Sequence, residues 1–281
     1  MKKLITSSLL LLFFHSPKSN NLVKAEMMVE QNIQNMSAGV QFGNQINNGT
    51  ALQVMKKKFR RFDSAMALIK VLHIGDSHVK SGFFSEHFME RLNAFYAQRY
   101  RGNLFFNFQI FCKIGTKYSD YDELAELDNQ LVREQPDLVI ISLGTNDAFS
   151  GSSRVKFYEK IDHLIQKIKR LSPQATVLFT TPSDALKMNP LTGSYSTLPE
   201  LQFVVDTIIR YANDHGMAYW NLYQIMGGPY SINNWFQRKL AAPDRIHFNQ
   251  KGYAQLADWL FEAFTASLES TKTPLPFNIH S

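Results

Sequence analysis

Apolar and polar positions divide most of the chain into alternating strands and helices. Short, almost continuously apolar runs predict buried strands at residues 69–74, 104–112, 137–143, 176–180 and 217–222. Between them, the sequence predicts helices at residues 51–67, 81–99, 121–133, 157–171, 199–215 and from about 250 onward. Strands that are apolar on both faces and separated by helices predict an α/β fold, in which helices cover both sides of a parallel sheet.

The two ends of the chain differ from this pattern. Lys2 and Lys3 precede an apolar run from Leu4 to Phe14 that is too short to cross a bilayer comfortably, which predicts a signal peptide over residues 1–25. Residues 26–50 are rich in Asn, Gln and Gly and are interpreted as a linker. The folded domain is then expected over residues 51–268, with an exposed tail at 269–281.

The signal peptide changes how the net charge of the chain is interpreted. The formal charge is +6, but residues 1–25 hold four lysines and no acidic residue, which leaves about +2 for the exported chain. The only dense basic run, residues 56–61, is interpreted as the solvated face of a helix. We therefore expect no nucleic-acid partner and no stable membrane anchor.

Cysteine and histidine usage limits the chemistry further. Cys112 is the only cysteine, so the chain forms no internal disulfide and no cysteine-based zinc site. Its position in an apolar strand predicts a buried thiol. The histidines at positions 73, 78 and 87 lack the spacing of metal ligands, so neither a metal nor another cofactor is expected.

Residues with catalytic potential follow the predicted strands. Gly75, Asp76 and Ser77 end the first strand, Gly115 follows the second, and the segment 144–147 (Gly-Thr-Asn-Asp) follows the third. In open parallel sheets, ligands bind beyond the carboxyl ends of the strands. These three motifs are therefore expected at one edge of the sheet, where they form a site.

Ser77, Asp244 and His247 together predict a serine hydrolase. Taken alone, Ser77 is better explained as an ordinary helix cap, and Asp244 with His247 as a capped turn with a histidine packed nearby. A serine hydroxyl needs a base to act as nucleophile at neutral pH, and the base needs an orienting partner. We expect His247 to be the base and Asp244 its partner. The oxyanion of the intermediate also needs donors, and the candidates are the backbone N–H groups of Ser77 and Gly115 and the side-chain amide of Asn146.

These four ordered motifs resemble the SGNH, or GDSL-type, hydrolase family over about residues 69–264. The resemblance implies a three-layer α/β/α sandwich of flavodoxin-like type with a five-stranded parallel sheet. It also implies the catalytic residues Ser77, Asp244 and His247 and the oxyanion-hole residues Ser77, Gly115 and Asn146. The sequence departs from the family pattern twice, with His78 in place of the usual leucine and Thr116 in place of a common alanine. The block His73–His78 is similar to that of exported bacterial peptidoglycan O-acetylesterases.

The resulting hypothesis is an exported bacterial enzyme, periplasmic or at the cell surface, that removes O-acetyl groups from a carbohydrate, with cell-wall peptidoglycan favoured. Tyr230 and Trp235 are candidates for stacking on sugar rings, although aromatic residues at this spacing are equally often core residues. Three alternatives stay open: a lipid esterase or thioesterase of the same family, an acetyltransferase that uses the same acyl-enzyme, and a catalytically silent glycan-binding module.

Overall fold

The computed structural model describes residues 43–59, 67–100, 102–151 and 154–269. The predicted signal peptide, the first part of the predicted linker and the tail after Glu269 lie outside these ranges. No helix within the described part of the chain is both long and apolar enough to cross a membrane.

A six-stranded sheet forms the centre of the molecule. Its strands are β1 (Ile46–Asn47), β2 (Ala67–Gly75), β3 (Leu104–Cys112), β4 (Leu138–Ser142), β5 (Thr176–Thr180) and β8 (Ala218–Trp220), in the order β1-β8-β5-β4-β2-β3. Five of these strands are parallel and correspond to the five predicted ones, which confirms the α/β fold.

The sixth strand corrects the predicted strand count. Ile46 pairs with Trp220 and Asn47 with Tyr219, so β1 adds an antiparallel edge strand to the five parallel strands. Strand β1 lies within residues 26–50, for which the sequence predicts a linker. A two-residue strand is too short to show a periodicity that sequence patterns can detect.

The prediction of a buried thiol is also corrected, because Cys112, at the end of β3, is half-buried rather than fully buried.

The helices cover both faces of the sheet. They are α1 (Gln53–Phe59), α2 (Ser77–Lys80), α3 (Phe83–Arg99), α4 (Ala125–Glu134), α5 (Thr145–Ser150), α6 (Arg154–Leu171), α7 (Pro199–Asp214), α8 (Leu222–Ile225), α9 (Ser231–Gln237) and α10 (Gln250–Glu269). Helix α4 starts later than predicted because Tyr118–Tyr121 forms a separate 3₁₀ turn. The helix predicted from residue 81 is preceded by α2, and Gly82 separates the two with a φ of +78°.

Alternate residues of each strand point to opposite apolar layers. Ile69 and Val71 of β2 pack in a layer with α1, α3 and α10, whereas Leu72 and Ile74 pack with α4, α6 and α7. All four side chains are at most 1% exposed. This double burial is the physical reason for the continuous apolar runs in the sequence, and the arrangement is the expected α/β/α sandwich.

A small hairpin stands outside the central sheet. Strands β6 (Leu186–Met188) and β7 (Tyr195–Thr197) pair antiparallel and follow the loop after β5. Within that loop, the Asp184 carboxylate accepts a hydrogen bond from the backbone N–H of Ile232 at 3.0 Å and thereby holds the start of α9. Asp184 is 1% exposed, and burial raises the pKa of this carboxyl to about 7.

We expect Asp184→Asn to weaken the pH dependence of stability. The pKa of Asp184 is raised in the folded state, so its contribution is full below about pH 4 and is lost as the pH rises through about 7. At about 1.4 kcal/mol per pKa unit, that loss amounts to a few kcal/mol. Asparagine keeps an acceptor for Ile232 without the charge. Urea unfolding at pH 5 and pH 8 measures the effect, with the exposed Asp206→Asn as control. An unchanged difference between the two pH values would contradict this account.

Candidate active site

The turn after β2 presents Ser77 as the first residue of α2. Gly75 precedes it at a point of very close approach, because an added Cβ atom would lie 2.2 Å from Cγ2 of Val79. The Asp76 carboxylate caps α2 by accepting a hydrogen bond from the backbone N–H of His78 at 3.0 Å. A buried strand, a glycine without space for a side chain and a capped helix start thus determine where the Ser77 hydroxyl lies.

The second segment of the site is the loop that carries Asp244 and His247. Oδ1 of Asp244 accepts hydrogen bonds from the backbone N–H groups of Ile246 at 2.9 Å and His247 at 3.0 Å. The other oxygen, Oδ2, lies 2.7 Å from Nδ1 of His247. One carboxylate therefore both shapes the loop and orients the imidazole that the loop carries.

The structure brings all three predicted catalytic residues together. Nε2 of His247 lies 2.9 Å from Oγ of Ser77, across 170 residues of sequence. With the Asp244 contact, this gives an unbroken sequence of hydrogen bonds from a carboxylate through an imidazole to a hydroxyl. The Nδ1 proton of neutral His247 faces the carboxylate in this geometry, which leaves Nε2 free to accept the Ser77 proton.

The electrostatics of this arrangement keep Asp244 ionised. Burial by itself would raise the pKa of Asp244, but the hydrogen bonds from the side chain and backbone of His247 and from the Ile246 N–H outweigh it and lower the pKa. The site is also open to solvent, since the side chains of His247 and Asp244 are 35% and 45% exposed. A bulky substrate can therefore approach the base without a rearrangement of the core.

Asn146 lies next to both other oxyanion candidates. It follows Gly144, whose φ of +121° and contact with α7 both favour glycine, since an added Cβ atom would lie 2.9 Å from Cγ1 of Val204. The Asn146 side-chain amide donates to Oδ2 of Asp76 and to the carbonyl of Thr116, both at 3.0 Å. It thus connects the residue before Ser77 to the residue after Gly115.

The Gly115 loop is held by Thr116, which replaces the alanine common in the family. Gly115 is exposed, with a left-handed φ of +76°. The Thr116 hydroxyl donates to the carbonyl of Lys113 at 2.7 Å and lies 3.3 Å from the Tyr121 hydroxyl. Tyr121 in turn donates a short hydrogen bond to the carbonyl of Gly75. Thr116 and Tyr121 therefore tie the Gly115 loop to the strand end that carries Ser77.

His78 packs directly behind His247. The two imidazole rings lie 4.9 Å apart between centroids, and Nδ1 of His78 is 3.3 Å from the Tyr253 hydroxyl. Burial lowers the pKa of His78, an effect that outweighs the nearby Asp76 carboxylate, so the ring is neutral. His78 also lines a cavity of about 50 Å³ at the ends of β4, β5 and β8.

His73, in contrast, belongs to the core. It is fully buried, and its two ring nitrogens each lie 2.8 Å from a serine hydroxyl, those of Ser85 and Ser142. Burial lowers its pKa to about 3, so it stays neutral at physiological pH. These contacts identify His73 as a structural histidine of the core.

Two residues in the segments considered for the site, Asp147 and Trp235, are buried. Asp147 is fully buried, accepts a hydrogen bond from the backbone N–H of Tyr118 at 3.2 Å, and has a pKa raised by burial to about 6. Trp235 is also fully buried, against Phe248 and Trp259. Trp235 is therefore a core residue, which is the alternative that its sequence spacing left open, whereas Tyr230 is 38% exposed. Among the described residues, no cluster of His, Cys, Asp and Glu has the composition of a metal site.

Comparison with solved structures supports the assignment of the fold. The chain is similar to a peptidoglycan O-acetylesterase, with a TM-score of 0.69 and 18% identity over 81% of this chain and 100% of that chain. It is also similar to an acetyl xylan esterase, with a TM-score of 0.53 and 20% identity over 69% of this chain and 99% of that one. A lipase/acylhydrolase from Enterococcus faecalis matches with a TM-score of 0.53 and 18% identity over 71% of this chain and 95% of that one.

Comparison with curated proteins gave no match. The family model of the GDSL-like lipases and acylhydrolases, however, matches residues 73–255, more than half of the chain. The matched region contains Ser77, Gly115, Asn146, Asp244 and His247. The chain therefore belongs to the GDSL-like lipase/acylhydrolase family and is a carboxylic ester hydrolase.

Proposed function

We propose that this protein is a serine esterase that removes O-acetyl groups from carbohydrate, with O-acetylated cell-wall peptidoglycan as the substrate. The observation that carries the chemistry is the unbroken hydrogen-bonded path from Asp244 through His247 to Ser77, with distances of 2.7 Å and 2.9 Å. In this proposal, Ser77 is the nucleophile, His247 the general base and Asp244 the residue that orients and stabilises the imidazolium.

The reaction proceeds through an acetyl-enzyme. Oγ of Ser77 attacks the acetyl carbonyl carbon while its proton passes to Nε2 of His247, and the carbonyl oxygen becomes an oxyanion. When the carbon–oxygen bond to the sugar breaks, His247 returns the proton to the leaving hydroxyl. A water molecule then attacks the acetyl-serine, again with His247 as base, and releases acetate and the free Ser77 hydroxyl.

The oxyanion is stabilised by the backbone N–H groups of Ser77 and Gly115 and by the amide of Asn146. The exposed turn at Gly115 supports this role, since its N–H is accessible to a ligand at the surface. Asn146 already donates to Asp76 and Thr116 at 3.0 Å each. One of these hydrogen bonds is therefore shared with the oxyanion as negative charge develops, which makes the interaction stronger in the transition state than in the ground state.

Three observations support an acetylated glycan as substrate. The sequence block from His73 to His78 is of the type found in exported peptidoglycan O-acetylesterases, and a protein of that activity is among the structures with a similar fold. The base and its carboxylate are more than one third exposed, which allows a polymer to reach them. The predicted signal peptide over residues 1–25 fits a periplasmic or cell-surface enzyme.

The second candidate is a lipid esterase. Apolar side chains are exposed on two segments connected to the site: Ile114, beside Gly115, is 73% exposed, and Leu191 and Met188, on the hairpin that contacts the Asp244–His247 loop, are 93% and 51% exposed. Exposed apolar side chains of this kind favour an acyl chain as ligand. The two candidates differ in their dependence on acyl length, which an ester series measures directly.

We expect acetate release from O-acetylated peptidoglycan and faster cleavage of acetyl than of octanoyl or longer para-nitrophenyl esters. O-acetylated xylan tested in parallel separates a peptidoglycan esterase from a general carbohydrate deacetylase. Ser77→Ala should abolish all of these activities without loss of fold, and Ser119→Ala, a partly exposed serine whose hydroxyl faces Asp120, is the matched control. Faster cleavage of the long-chain esters, without acetate from either glycan, would support the lipid esterase instead. Full activity of folded Ser77→Ala would exclude the serine mechanism.

Asn146→Ala should lower kcat by about a hundredfold or more with little change in KM, since the lost hydrogen bond matters chiefly in the transition state. Steady-state kinetics on para-nitrophenyl acetate measure this, and thermal unfolding reports the loss of the links to Asp76 and Thr116. An increase of KM at constant kcat would assign Asn146 to substrate positioning.

Asp244→Asn should lower kcat by at least about tenfold and move the acidic limb of the pH profile to lower pH. The pKa of Asp244 is lowered, so the carboxylate is charged throughout the range in which a histidine base works, and it favours the imidazolium. Removing that charge disfavours the protonated base. The kcat/KM profile between pH 4 and pH 9 measures the shift, with His247→Ala as the more severe variant. An unmoved acidic limb would show that Asp244 has no electrostatic role.

A further inference from the structure

Arg245 occupies an unusual position between Asp244 and His247. Its φ of +59° lies in the left-handed region, which non-glycine residues adopt only at a cost in free energy. Its backbone N–H donates to the carbonyl of Ala242 at 3.2 Å, closing the turn that presents Asp244. The loop that carries the base therefore depends on a strained residue, and surrounding contacts must hold that residue in place.

The side chain of Arg245 supplies such contacts. Its guanidinium carbon lies 3.2 Å from the ring centre of Phe236 and 5.3 Å from that of Tyr195. Its Nε donates to Oδ1 of Asn233 at 3.1 Å. Phe236 and Asn233 belong to α9 and Tyr195 to the β6–β7 hairpin, so one side chain joins two peripheral elements to the loop.

Backbone contacts reinforce this attachment. The carbonyl of Arg245 accepts a hydrogen bond from the backbone N–H of Leu186 in β6 at 3.0 Å. The Tyr195 hydroxyl donates to the carbonyl of Pro243 at 2.8 Å. The loop that holds Asp244 and His247 is thus attached to the hairpin on both sides of Asp244, whereas Ser77 is attached to the central sheet.

We propose that Arg245 is a positioning residue, which anchors the Asp244–His247 loop to the hairpin and α9 and so keeps His247 aligned with Ser77. The inference deepens the proposed function and rests on it, since it assigns the alignment of the proposed base. Arg245 touches neither the nucleophile nor the substrate in this role. The planar guanidinium is suited to it, because it stacks on an aromatic ring and donates a hydrogen bond in its own plane, which lysine does not do.

Three substitutions at Arg245 separate the side-chain anchor from the backbone strain. Arg245→Ala removes the anchor and keeps a residue that disfavours positive φ, whereas Arg245→Gly removes the anchor and relieves the strain. We expect both to lower kcat on para-nitrophenyl acetate by about tenfold or more with KM nearly unchanged. Arg245→Gly should have the higher Tm of the two. Arg245→Lys should recover only part of kcat.

Two readouts distinguish alignment from a merely structural role. The acidic limb of kcat/KM should move to lower pH in Arg245→Lys, in the same direction as in Asp244→Asn, because this variant keeps the positive charge at position 245 while the imidazolium loses its aligned carboxylate. Guanidinium ions at concentrations that do not denature the protein should restore part of kcat in Arg245→Ala. Arg210→Ala is the matched control, since Arg210 stacks on Tyr158 at 5.1 Å, away from the loop.

A spectroscopic measurement tests the proposal without relying on turnover. The proton between Nδ1 of His247 and Asp244 should give a low-field proton NMR signal that Arg245→Ala weakens or shifts and Arg210→Ala preserves. An unchanged signal and kcat in Arg245→Ala, together with an unchanged acidic limb in Arg245→Lys, would overturn the proposal. If Arg245→Ala does not fold, the same measurements on Arg245→Lys and Phe236→Leu decide, and wild-type behaviour of both would overturn it. Full activity of Ser77→Ala would instead refute the proposed function, whatever the Arg245 variants show.

Discussion

The hydrogen bond between His247 and Ser77 is the interaction on which the candidate site depends, because it joins two separately built parts of the molecule. Ser77 belongs to the central sheet, at the end of a strand buried on both faces. His247 belongs to a loop outside the sheet, and its Nε2 lies 2.9 Å from Oγ of Ser77. A displacement of either part by about 1 Å breaks the alignment that proton transfer needs. The alignment of Ser77 with His247 therefore depends on how firmly the loop outside the sheet is held.

The two parts are held by different physical means. Ser77, the proposed nucleophile, is held by packing, since Gly75 has no space for a side chain and the residues of β2 around it are almost fully buried. His247, the proposed base, is held mainly by hydrogen bonds, of which Asp244 accepts three within its own loop. Such bonds are individually worth about 1 kcal/mol and act in an exposed segment. This explains why additional contacts from the hairpin and α9 converge on Arg245.

Three aspartates near the sheet edge differ in the direction of their pKa shifts because their surroundings differ. Asp244 faces an imidazole and two backbone N–H groups, which lower its pKa although burial opposes them. Asp147 and Asp184 are more deeply buried, and burial raises their pKa values to about 6 and about 7. Of these three aspartates, only Asp244 therefore has surroundings that favour the ionised carboxylate. The carboxylate beside the base is ionised, while the buried ones add a pH dependence to stability.

The features that could be predicted from the sequence are those that depend on one segment alone or on the general geometry of a parallel sheet. The strands around Ile74 and Ile141 were predicted because burial on both faces leaves a continuous apolar run. The position of Ser77, Gly115 and Asn146 at one edge was predicted because parallel strands end there, whereas the Asp244–His247 loop was expected to join Ser77 because a serine nucleophile needs a base and an orienting partner. Strand β1 and the burial of Trp235 were not, because both depend on contacts between segments distant in sequence. The hairpin was not predicted either, because strands of three residues are too short to show a periodicity. Arg245 is the clearest case, since its sequence position indicates an exposed loop residue and only the packed structure places it between aromatic rings.

The division of the site between the central sheet and the outer loop also concerns substrate specificity. The central sheet supplies the nucleophile and, in the proposed mechanism, the oxyanion donors at Gly115 and Asn146, all of which act on the ester group itself. The hairpin that holds the base also exposes Leu191 and Met188, by 93% and 51%. The hairpin thus combines contacts to the proposed base loop with an exposed apolar surface. Changes in the hairpin are therefore expected to alter the alignment of His247, whereas changes at the strand ends are expected to alter the chemistry at Ser77.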